Sequence, residues 1–446
     1  MNTEAVVDYI LSTGWDDFPG IVQHQSKRCL LDALGAMIVG TQTPVYEIMH
    51  QYVSIQMGTG PAALMNSVLK SSTTGAALAN GFAANALDID DGCRLAKGHP
   101  GSSVLPVVLA ASQGAHSCDG KQFLTALILG YETAIRAAYI RHAVYSVYHS
   151  SGSWGGIGSA AAAGKLLKLN ENELFNALGV STYHVPLAPM MIGIETPSMV
   201  KDSIGWGAFV GMSSVEMARS GFTGPRSIFD ESPNEEWISS LGHTFEIMNL
   251  FFKPYAACRW AQPGVDGVLK IMGQENLTIK NIGRIRIYTF SEAAALSREY
   301  PRNTEDAQYN FSYPIAAAVI HGKVGPKQML PPVIFDETLH QIMDKIEVFV
   351  EDRFQKEFPA KTLADIEIED IHGNCIRSGV MSARWDLSNT LPTDKELKEK
   401  FLWLVSPVLG NDKARLLIEL IFKLDQCESI DPLMDLCKGN TEECKR

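Results

Sequence analysis

Four long stretches of this chain repeat apolar residues at intervals of three and four positions, and no other feature constrains its fold as strongly. They span residues 21–40, 73–88, 121–143 and 198–221, and Gly, Ser or Asp marks their ends. This spacing places the apolar residues on one face of an α-helix. Many of the helical faces consist of Ala, Gly and Ser, as in residues 158–164, and small side chains let helix axes approach closely. The pattern predicts a compact body built of α-helices.

The pattern changes after about residue 265. Residues 282–290 and 364–371 alternate apolar and polar side chains, and residues 372–374 predict a turn into a further strand at 375–377. Between the strands, helical spacing predicts helices over residues 314–323 and 336–349. This part of the chain is therefore predicted to be α+β.

Helical spacing returns in residues 394–400 and 413–422. We therefore predict a mainly α fold, in which a smaller α+β domain is inserted into a large all-α helical domain. The predicted boundaries are residues 1–265 plus 402–446 for the all-α domain and residues 266–401 for the inserted domain.

Composition and charge limit the classes of protein that fit this chain. Its 446 residues are 46% apolar and 20% charged, so the chain can bury a large core. The net charge of −12 opposes nonspecific binding to nucleic acid and to anionic membranes. No window reaches the roughly 18 uninterrupted apolar residues of a membrane span, and the first residues are acidic rather than basic. Eight scattered cysteines without a C-x-x-C pair favour a reducing cytoplasm and argue against a cysteine-ligated metal.

Three carboxylates and a histidine lie close together where one predicted helix ends. Asp88, Asp90, Asp91 and His99 occur in a stretch rich in Gly and Pro that should break the helix. Asp88 and Asp91 are three positions apart and share a helix face, whereas Asp90 points elsewhere. Carboxylates and imidazoles suit acid–base chemistry, because modest burial tunes their pKa values. Asp88 and His99 are therefore candidate catalytic residues, and a structural cap or hydrogen-bonded pair is the alternative.

A second candidate segment contains Tyr145, His149 and Ser150 and precedes a helix predicted to begin near Gly155. Hydroxyl and N–H groups at a helix N-terminus can hold a carboxylate, and a histidine there can deliver a proton. Tyr145 is a possible proton donor. The alternative for Tyr145 and His149 is packing in the core.

Lys201 is the third candidate, because it opens the helix predicted at residues 198–221, where the helix dipole disfavours a cation. It can bind a substrate carboxylate or, with a pKa depressed by burial, act as a base. The alternative is an ion pair with Asp202 or another nearby acid.

Two later segments add further candidates. Lys253 and Arg259 lie beside aromatic residues and can clamp an anion, Arg259 through a bidentate fork. Cys258 could act as a nucleophile, but its alternative is a small buried side chain. Tyr313 lies among polar groups that precede a helix, for which a capped turn is the alternative.

Together these segments resemble the MmgE/PrpD family over nearly the whole chain. The resemblance lies in LDIDDG followed by GHPGSSVLPVVLAA, YHSSGSWGGIGSAAAAGKLL, SMVKDSIGWGAFVG with GFTGP, KPYAACRW and DAQYNFSYPIAAA. It implies a large all-α domain, a smaller α+β lid domain and a homodimer. It also implies a cytoplasmic or mitochondrial-type enzyme that acts on small polycarboxylic acids without a metal or organic cofactor. Activities of the family include 2-methylcitrate dehydration, cis-aconitate decarboxylation and iminodisuccinate epimerisation.

The resemblance further implies which residues line the site. In the lyases of the family, they correspond here to Asp88, His99, His149, Lys201 and Lys253.

The chain also departs from the family at three positions. Dehydratase and decarboxylase relatives commonly have Thr at the position of Gly92, and many have His at the position of Gln262. Decarboxylase relatives place another His at the position of Cys258, whereas dehydratase-like members have Cys there, as this chain does.

Because hydroxyl and imidazole groups are fewer than in those relatives, we expect a cofactor-independent epimerase similar to iminodisuccinate epimerase. Lys201 facing Tyr145 or His149 would move a proton at a carbon next to a carboxylate, with Asp88 orienting His99. The expected substrate-binding residues are Lys253, Arg259, Ser150, Gln262 and Tyr313. One alternative is a 2-methylcitrate dehydratase-like or cis-aconitate decarboxylase-like lyase. The other is a noncatalytic protein that binds small acids.

Overall fold

The computed structural model describes residues 2–274, 277–386 and 390–439, and the chain up to residue 249 is mainly helical. Its helices are α1 (Asn2–Ser12), α2 (Gly20–Gly40), α3 (Pro44–Gln56), α4 (Thr73–Asn85), α5 (Pro100–Gly114), α6 (Gly120–Val144), α7 (Gly152–Leu166), α8 (Glu171–His184), α9 (Met190–Glu195), α10 (Ile204–Arg219) and α11 (Glu236–Ser239). The helices predicted at residues 21–40 and 121–143 are confirmed as α2 and α6, whereas the helix predicted at residues 73–88 ends early, at Asn85, as α4. Met1 and residues 440–446, which the predicted all-α domain includes, lie outside the described residues.

The helix predicted at residues 198–221 begins later than expected. Lys201 and Ser203 have φ angles of 45° and 56°, in the left-handed region that a right-handed helix excludes. The helix α10 therefore starts only at Ile204. The prediction that Lys201 opens this helix is wrong, since Lys201 lies in the turn before it.

Glycines allow α7 and α10 to pack closely. A Cβ atom added at Gly156 would lie 2.5 Å from the carbonyl oxygen of Gly207, and one added at Gly211 would lie 2.5 Å from that of Gly156. The two backbones are therefore in direct contact. The neighbouring helix α6 is long and apolar enough to span a membrane by length and composition, but its apolar window is wholly buried in this structure.

One four-stranded sheet lies in the later part of the chain, and shorter ladders lie elsewhere. The strands are β1 (Ala62–Ala63), β2 (Lys70–Ser71), β3 (Gly92–Cys93), β4 (Leu250–Phe251), β5 (Ile282–Thr289), β6 (Ile346–Val350), β7 (Leu363–Asp370) and β8 (Cys375–Ser382). The larger sheet has the order β6-β5-β7-β8, with β5 and β6 parallel and the other pairs antiparallel. The strands predicted from alternation at residues 282–290, 364–371 and 375–377 are confirmed as β5, β7 and β8.

The helices of this part are α12 (Gln262–Gln274), α13 (Ser291–Ala294), α14 (Thr304–Gln308), α15 (Ser312–His321), α16 (Glu337–Met343) and α17 (Asp352–Gln355). The helix predicted at residues 336–349 is correct only in its first half. After α16, residues 346–350 form β6, because their alternating Ile, Val and Phe side chains pair with β5. The helix α12 packs on β7 and β8.

The chain ends in helices that return to the helical part. They are α18 (Asp394–Leu409), α19 (Asn411–Phe422) and α20 (Asp431–Leu436). α18 packs against α2, where the Lys400 ammonium donates to the Asp32 carboxylate at 2.6 Å and to the Ile89 carbonyl oxygen at 2.7 Å. The mainly α fold is confirmed, whereas the inserted lid domain and its boundaries stay predictions.

Candidate active site

A two-residue ladder brings the aspartate-rich segment to the segment that contains Lys253. β3 pairs with β4, so that Gly92 lies opposite Phe251 and Cys93 opposite Leu250. Asp88 comes just before β3 and Lys253 just after β4. Residues about 165 positions apart in the chain therefore meet at one point.

His99 lies between two carboxylates. Its Nδ1 is 3.1 Å from an oxygen of Asp90 and 2.8 Å from the carbonyl oxygen of Asp91, and its Nε2 is 3.5 Å from an oxygen of Asp88. The hydroxyl of Ser151 accepts a hydrogen bond from the backbone N–H of His99 at 3.0 Å. Both nitrogens of the imidazolium ring thus face negative or partly negative oxygens.

The charges around His99 favour its protonated form. Burial alone would lower the pKa of His99, but the neighbouring Asp90 and Asp88 outweigh that effect and raise the pKa to about 9. Burial would raise the pKa of Asp90, yet His99, Lys253 and a hydrogen bond from Ser102 hold it well below its usual range. His99 is therefore a cation at neutral pH and can act as a proton donor.

Lys253 forms a buried ion pair with Asp88. Its Nζ donates to a carboxylate oxygen of Asp88 at 2.8 Å and to the backbone carbonyl oxygen of Asp88 at 3.0 Å. Burial works against the charged amine, but Asp88 and Asp90 raise the pKa of Lys253 above its ordinary value. Lys253 therefore remains a cation and holds Asp88 in place.

Asp91 differs from Asp88 and Asp90 because burial and neighbouring carboxylates outweigh the groups that favour its charged form, Tyr131 and His99. Burial, followed by the charges of Asp32 and Asp90, raises the pKa of Asp91 to about 8. At neutral pH, Asp91 is therefore mostly a neutral carboxylic acid. Asp88 lies beyond α4 with a φ angle of 51°, so the prediction that Asp88 and Asp91 share a helix face is wrong, and the structure gives the three carboxylates three different environments.

A cavity of about 330 Å³ opens beside this cluster. The polar residues that line it include Asp88, His99, Asp202, Lys253, Cys258 and Tyr309. Three further cations also line it, namely Arg94, Lys97 and Arg259. Apolar surface comes from Tyr148, Met190, Ile194, Phe251 and Phe358. The cavity thus combines an acid–base cluster, additional cations and an apolar wall, as small-molecule sites do.

Tyr309 and Asp202 are cavity residues that the sequence analysis did not single out. The Tyr309 hydroxyl donates to a carboxylate oxygen of Asp202 at 3.2 Å. Burial and the negative charge of Asp202 raise the pKa of Tyr309 well above its ordinary value, so the phenol stays protonated. The only signal in the sequence was the polar segment before α15, from which Tyr313 had been chosen.

Tyr313 itself is not at the cavity. It is buried in α15, and its hydroxyl donates to the carbonyl oxygen of Gln328. Gln262 is also buried, and its amide donates to the carbonyl oxygen of Ala257 at 2.9 Å. Both side chains donate to backbone carbonyl groups and do not line the cavity.

Lys201 lies near the cluster without lining the cavity. Its Nζ donates to the side-chain oxygen of Gln308 at 2.8 Å and to the carbonyl oxygen of Asn85. It lies 5.7 Å from the centre of the Tyr309 ring. Burial lowers the pKa of Lys201. The expected alternative, an ion pair with Asp202, does not form, and Gln308 is a contact that the sequence did not indicate.

Tyr145, His149 and Ser150 do not line the cavity either. The rings of Tyr145 and His149 meet edge to face with centres 6.0 Å apart, and Tyr145 is partly exposed. Within the described residues, neither ring nitrogen of His149 nor the hydroxyl of Ser150 has a hydrogen-bond partner. Burial and the charge of Arg141 lower the pKa of His149. None of Lys201, Tyr145 and His149 is among the residues that line the cavity, and the epimerase arrangement with Lys201 facing Tyr145 or His149 stays a prediction.

Cys258 lines the cavity, but as a thiol. Burial, followed by the charge of Asp88, raises the pKa of Cys258 to about 12. A thiol is a poor nucleophile compared with its thiolate. The alternative of a small buried side chain is therefore favoured over a nucleophile.

Asp88, Asp90 and His99 could together hold a metal ion, since one ligand atom from each lies within 4.8 Å of the others. However, the Lys253 ammonium already contacts Asp88, and the Ser102 hydroxyl and the Asn85 amide already donate to Asp90. A metal ion would have to displace these donors. The prediction of a site without metal or organic cofactor stays a prediction.

Comparisons with known proteins cover almost the whole chain. The profile of the MmgE/PrpD N-terminal domain matches residues 4–243, and that of the MmgE/PrpD C-terminal domain matches residues 255–426. A cis-aconitate decarboxylase-like protein, oryM of Aspergillus oryzae, is 23% identical over 98% of this chain and 97% of its own length. Human cis-aconitate decarboxylase is 24% identical over 94% of this chain and 90% of its own length. A cis-aconitate decarboxylase of Aspergillus terreus is 22% identical over 97% and 95% of the two chains.

Proposed function

This chain belongs to the MmgE/PrpD family, and we propose that it is a lyase that acts on a small polycarboxylic acid of the aconitate or citrate type. The relatives named above are cis-aconitate decarboxylases or are named for their likeness to them, which favours a lyase over the epimerase expected from the sequence. Identity of 22% to 24% supports the class of reaction rather than one substrate.

The observation that carries this proposal is the position of His99 at the wall of the cavity, between the carboxylates of Asp88 and Asp90. Asp88 and Asp90 hold the imidazolium, and Lys253 holds Asp88. Decarboxylation and dehydration both need a proton donor at neutral pH, because a new C–H bond forms or a hydroxyl leaves as water. A histidine with a pKa of about 9 is in its acid form under these conditions.

Decarboxylation of an unsaturated tricarboxylate can be written so that electrons and protons balance. The bond between a carbon and its carboxylate breaks, CO₂ leaves, and the released electron pair forms a new double bond. The electrons of the old double bond then take a proton at the far alkene carbon. We propose that His99 supplies this proton and that the cations of the cavity bind the remaining carboxylates.

Tyr309 weakens the argument that first favoured an epimerase. The expectation of an epimerase depends on hydroxyl and imidazole groups that are missing at Gly92, Gln262 and Cys258. Tyr309 brings a hydroxyl group to the cavity from another part of the chain, where it donates to Asp202. The proposed proton donors, His99 and Tyr309, both line the cavity, whereas Lys201, Tyr145 and His149 do not.

Proton NMR in D₂O tests this proposal. Purified protein is incubated separately with cis-aconitate, 2-methylcitrate and iminodisuccinate, without added metal, beside a His99→Gln control. Loss of CO₂ or water that depends on His99 is the expected result. Deuterium incorporation with interconversion of iminodisuccinate stereoisomers would instead establish the epimerase, and binding without turnover would support the noncatalytic alternative.

A further inference from the structure

We infer that Arg94 and Arg259, held by Asp386, form a subsite for a substrate carboxylate in the cavity. Both arginines line the cavity, and Asp386 does not. This inference rests on the proposed function for the identity of the substrate, and it adds where a second carboxylate binds.

One carboxylate oxygen of Asp386 holds both guanidinium groups. It lies 3.1 Å from Nη2 of Arg94 and 3.2 Å from Nη1 of Arg259. Nη2 of Arg94 also donates to the backbone carbonyl oxygen of Asp386 at 2.7 Å. Only 2% of the Asp386 side chain is exposed, compared with 27% for Arg94 and 13% for Arg259. The carboxylate is therefore covered, while the guanidinium groups face the cavity.

The β3–β4 ladder explains how the two arginines meet. A Cβ atom at Gly92 would lie 2.2 Å from the Phe251 ring, so this ring occupies the space of any side chain at that position. Relatives commonly carry Thr at this position, according to the resemblance. The Arg259 guanidinium lies 4.8 Å from the centre of the same ring, and Arg94 follows the ladder directly. The Phe251 ring, with the Arg259 guanidinium over it, therefore fills the space beside Gly92.

The distribution of charge indicates that an anion binds here. In the catalytic cluster, the cations His99 and Lys253 are matched by the anions Asp88 and Asp90. Arg94 and Arg259 share a single carboxylate, which leaves one positive charge without a partner among their described contacts. A second carboxylate would reduce the repulsion between these two neighbouring positive charges. Guanidinium groups bind carboxylates through paired hydrogen bonds.

The chemical class of the ligand follows from this placement. An acid with at least two carboxylates can present one to the arginine pair while its reacting carbon lies near His99. Glu292 also lines the cavity, but among the described residues its carboxylate is held by Ser291 and Gln355 rather than by either arginine. A monocarboxylate cannot occupy both places, so the subsite should select for polycarboxylates. Asp386 is then a positioning residue, because it acts through the arginines.

Binding measurements by isothermal titration calorimetry test the subsite without requiring turnover. The probes are tricarballylate, a saturated tricarboxylate, and butyrate, a monocarboxylate of similar chain length. The variants are Arg94→Gln, Arg259→Gln and Arg259→Lys, with Arg284→Gln as the matched control on the exposed surface of β5. Arg259→Lys keeps the positive charge but removes the paired hydrogen-bond donors of the guanidinium group. It serves as the test of Arg259 if Arg259→Gln does not fold.

We expect each arginine variant that folds to weaken tricarballylate binding by about 10- to 100-fold, the range of a hydrogen bond to a charged group. Butyrate binding should change by less than about threefold, and Arg284→Gln should change neither. Asp386→Asn should weaken tricarballylate binding in the same direction, and Asp386→Glu should restore part of it. Equal weakening of both acids would overturn the subsite, as would no weakening of tricarballylate.

The binding data and a lyase assay of the same variants together separate this inference from the proposed function. Selective loss of tricarballylate binding in a protein without lyase activity would support the subsite and contradict the lyase. Lyase turnover with an unchanged KM in both arginine variants would contradict the subsite and leave the lyase standing.

Discussion

At the scale of single residues, His99 determines how activity should depend on pH. Its pKa of about 9 arises because Asp90 and Asp88 overcome the effect of burial. A raised pKa keeps the acid form present below about pH 9 and removes it above that value. We therefore expect kcat/KM, which reports the free enzyme, to fall as the pH rises past about 9. His99→Gln should lower kcat by about 100- to 10,000-fold.

Asp90 should set the position of that alkaline limb. Asp90→Asn removes the closest negative charge from His99, so the pKa of His99 should fall and the limb should move to lower pH. Asp16→Asn, a change at an exposed carboxylate, is the control and should leave the profile unchanged. A limb that stays in place in Asp90→Asn would show that another group controls it.

The ion pair between Lys253 and Asp88 leads to a prediction about stability. Lys253→Met leaves a buried carboxylate without its cation, which typically costs about 3 to 5 kcal/mol. The double variant Lys253→Met with Asp88→Asn should recover most of the free energy of unfolding, because no charge remains unpaired. Lys253→Met and the double variant should both lack activity. Urea denaturation measures the cycle, and simple additivity of the two changes would contradict the coupling.

The sequence predicted those parts of this site whose residues lie close together in the chain. It did not predict contacts between residues that lie far apart in the chain. Asp88 and His99 stand out because their side-chain types and close spacing are visible locally. Tyr309 and Asp202 meet across 107 positions, and local patterns carry no information about such a contact. Lys253 was identified by its neighbouring aromatic residues, but its partner Asp88 could be known only once β3 and β4 had paired. Asp386, which holds the arginines, had no local signal.

At the scale of elements, the backbone contact between α7 and α10 should tolerate no added side chain. Gly156→Ala places a Cβ 2.5 Å from the Gly207 carbonyl oxygen and 2.6 Å from Val185 Cγ1. Overpacking of this kind costs about 1 to 3 kcal/mol. We expect a lower melting temperature, measured by circular dichroism.

A matched glycine provides the control for this change. Gly20 is at the start of α2, and nothing lies within 4 Å of a Cβ atom added there. Gly20→Ala should therefore leave the melting temperature unchanged or raise it, because Ala favours a helix more than Gly does. Equal melting temperatures in Gly156→Ala and the unmodified protein would show that the helices can separate without cost.

Long periodic elements were predictable, whereas their ends and short strands were not. α2 and α6 bury one continuous set of apolar residues, so their spacing appears directly in the sequence. The turn before α10 was not predictable, because Met199 and Val200 continue the apolar pattern of the helix although the backbone there is not yet helical. The sequence predicts a helix over the residues of β6, because the strand depends on pairing with β5 rather than on its own residues.

At the scale of the whole molecule, the buried Lys400–Asp32 pair joins α18 to α2, and Lys400 also contacts Ile89 beside the aspartate cluster. The C-terminal helices are thus connected to the segment that forms the site. The sequence predicted their return to the helical part from periodicity alone. It could not identify α2 as their neighbour, because the contact spans 368 positions.

One surface of the molecule supports the proposal of a homodimer. Val147, Leu187 and Ile192 are apolar and exposed by 44%, 58% and 63%. Their segments lie together, since the N–H of Ser150 donates to the Ala188 carbonyl oxygen at 2.9 Å. The N–H of Met190 also donates to the Tyr148 carbonyl oxygen at 2.8 Å. Neighbouring exposed apolar side chains of this kind mark interaction surfaces.

We therefore expect light scattering after size exclusion to show a mass near twice 48.8 kDa. Leu187→Glu with Ile192→Glu should yield monomers, because the contact would bury two carboxylates from each copy without partners. Ile55→Glu is the control, since Ile55 is 67% exposed on α3, a helix outside this surface. A monomeric unmodified protein would contradict the dimer. A dimeric double variant would place the contact on another surface, and a control that also dissociates would show that charge alone separates the copies.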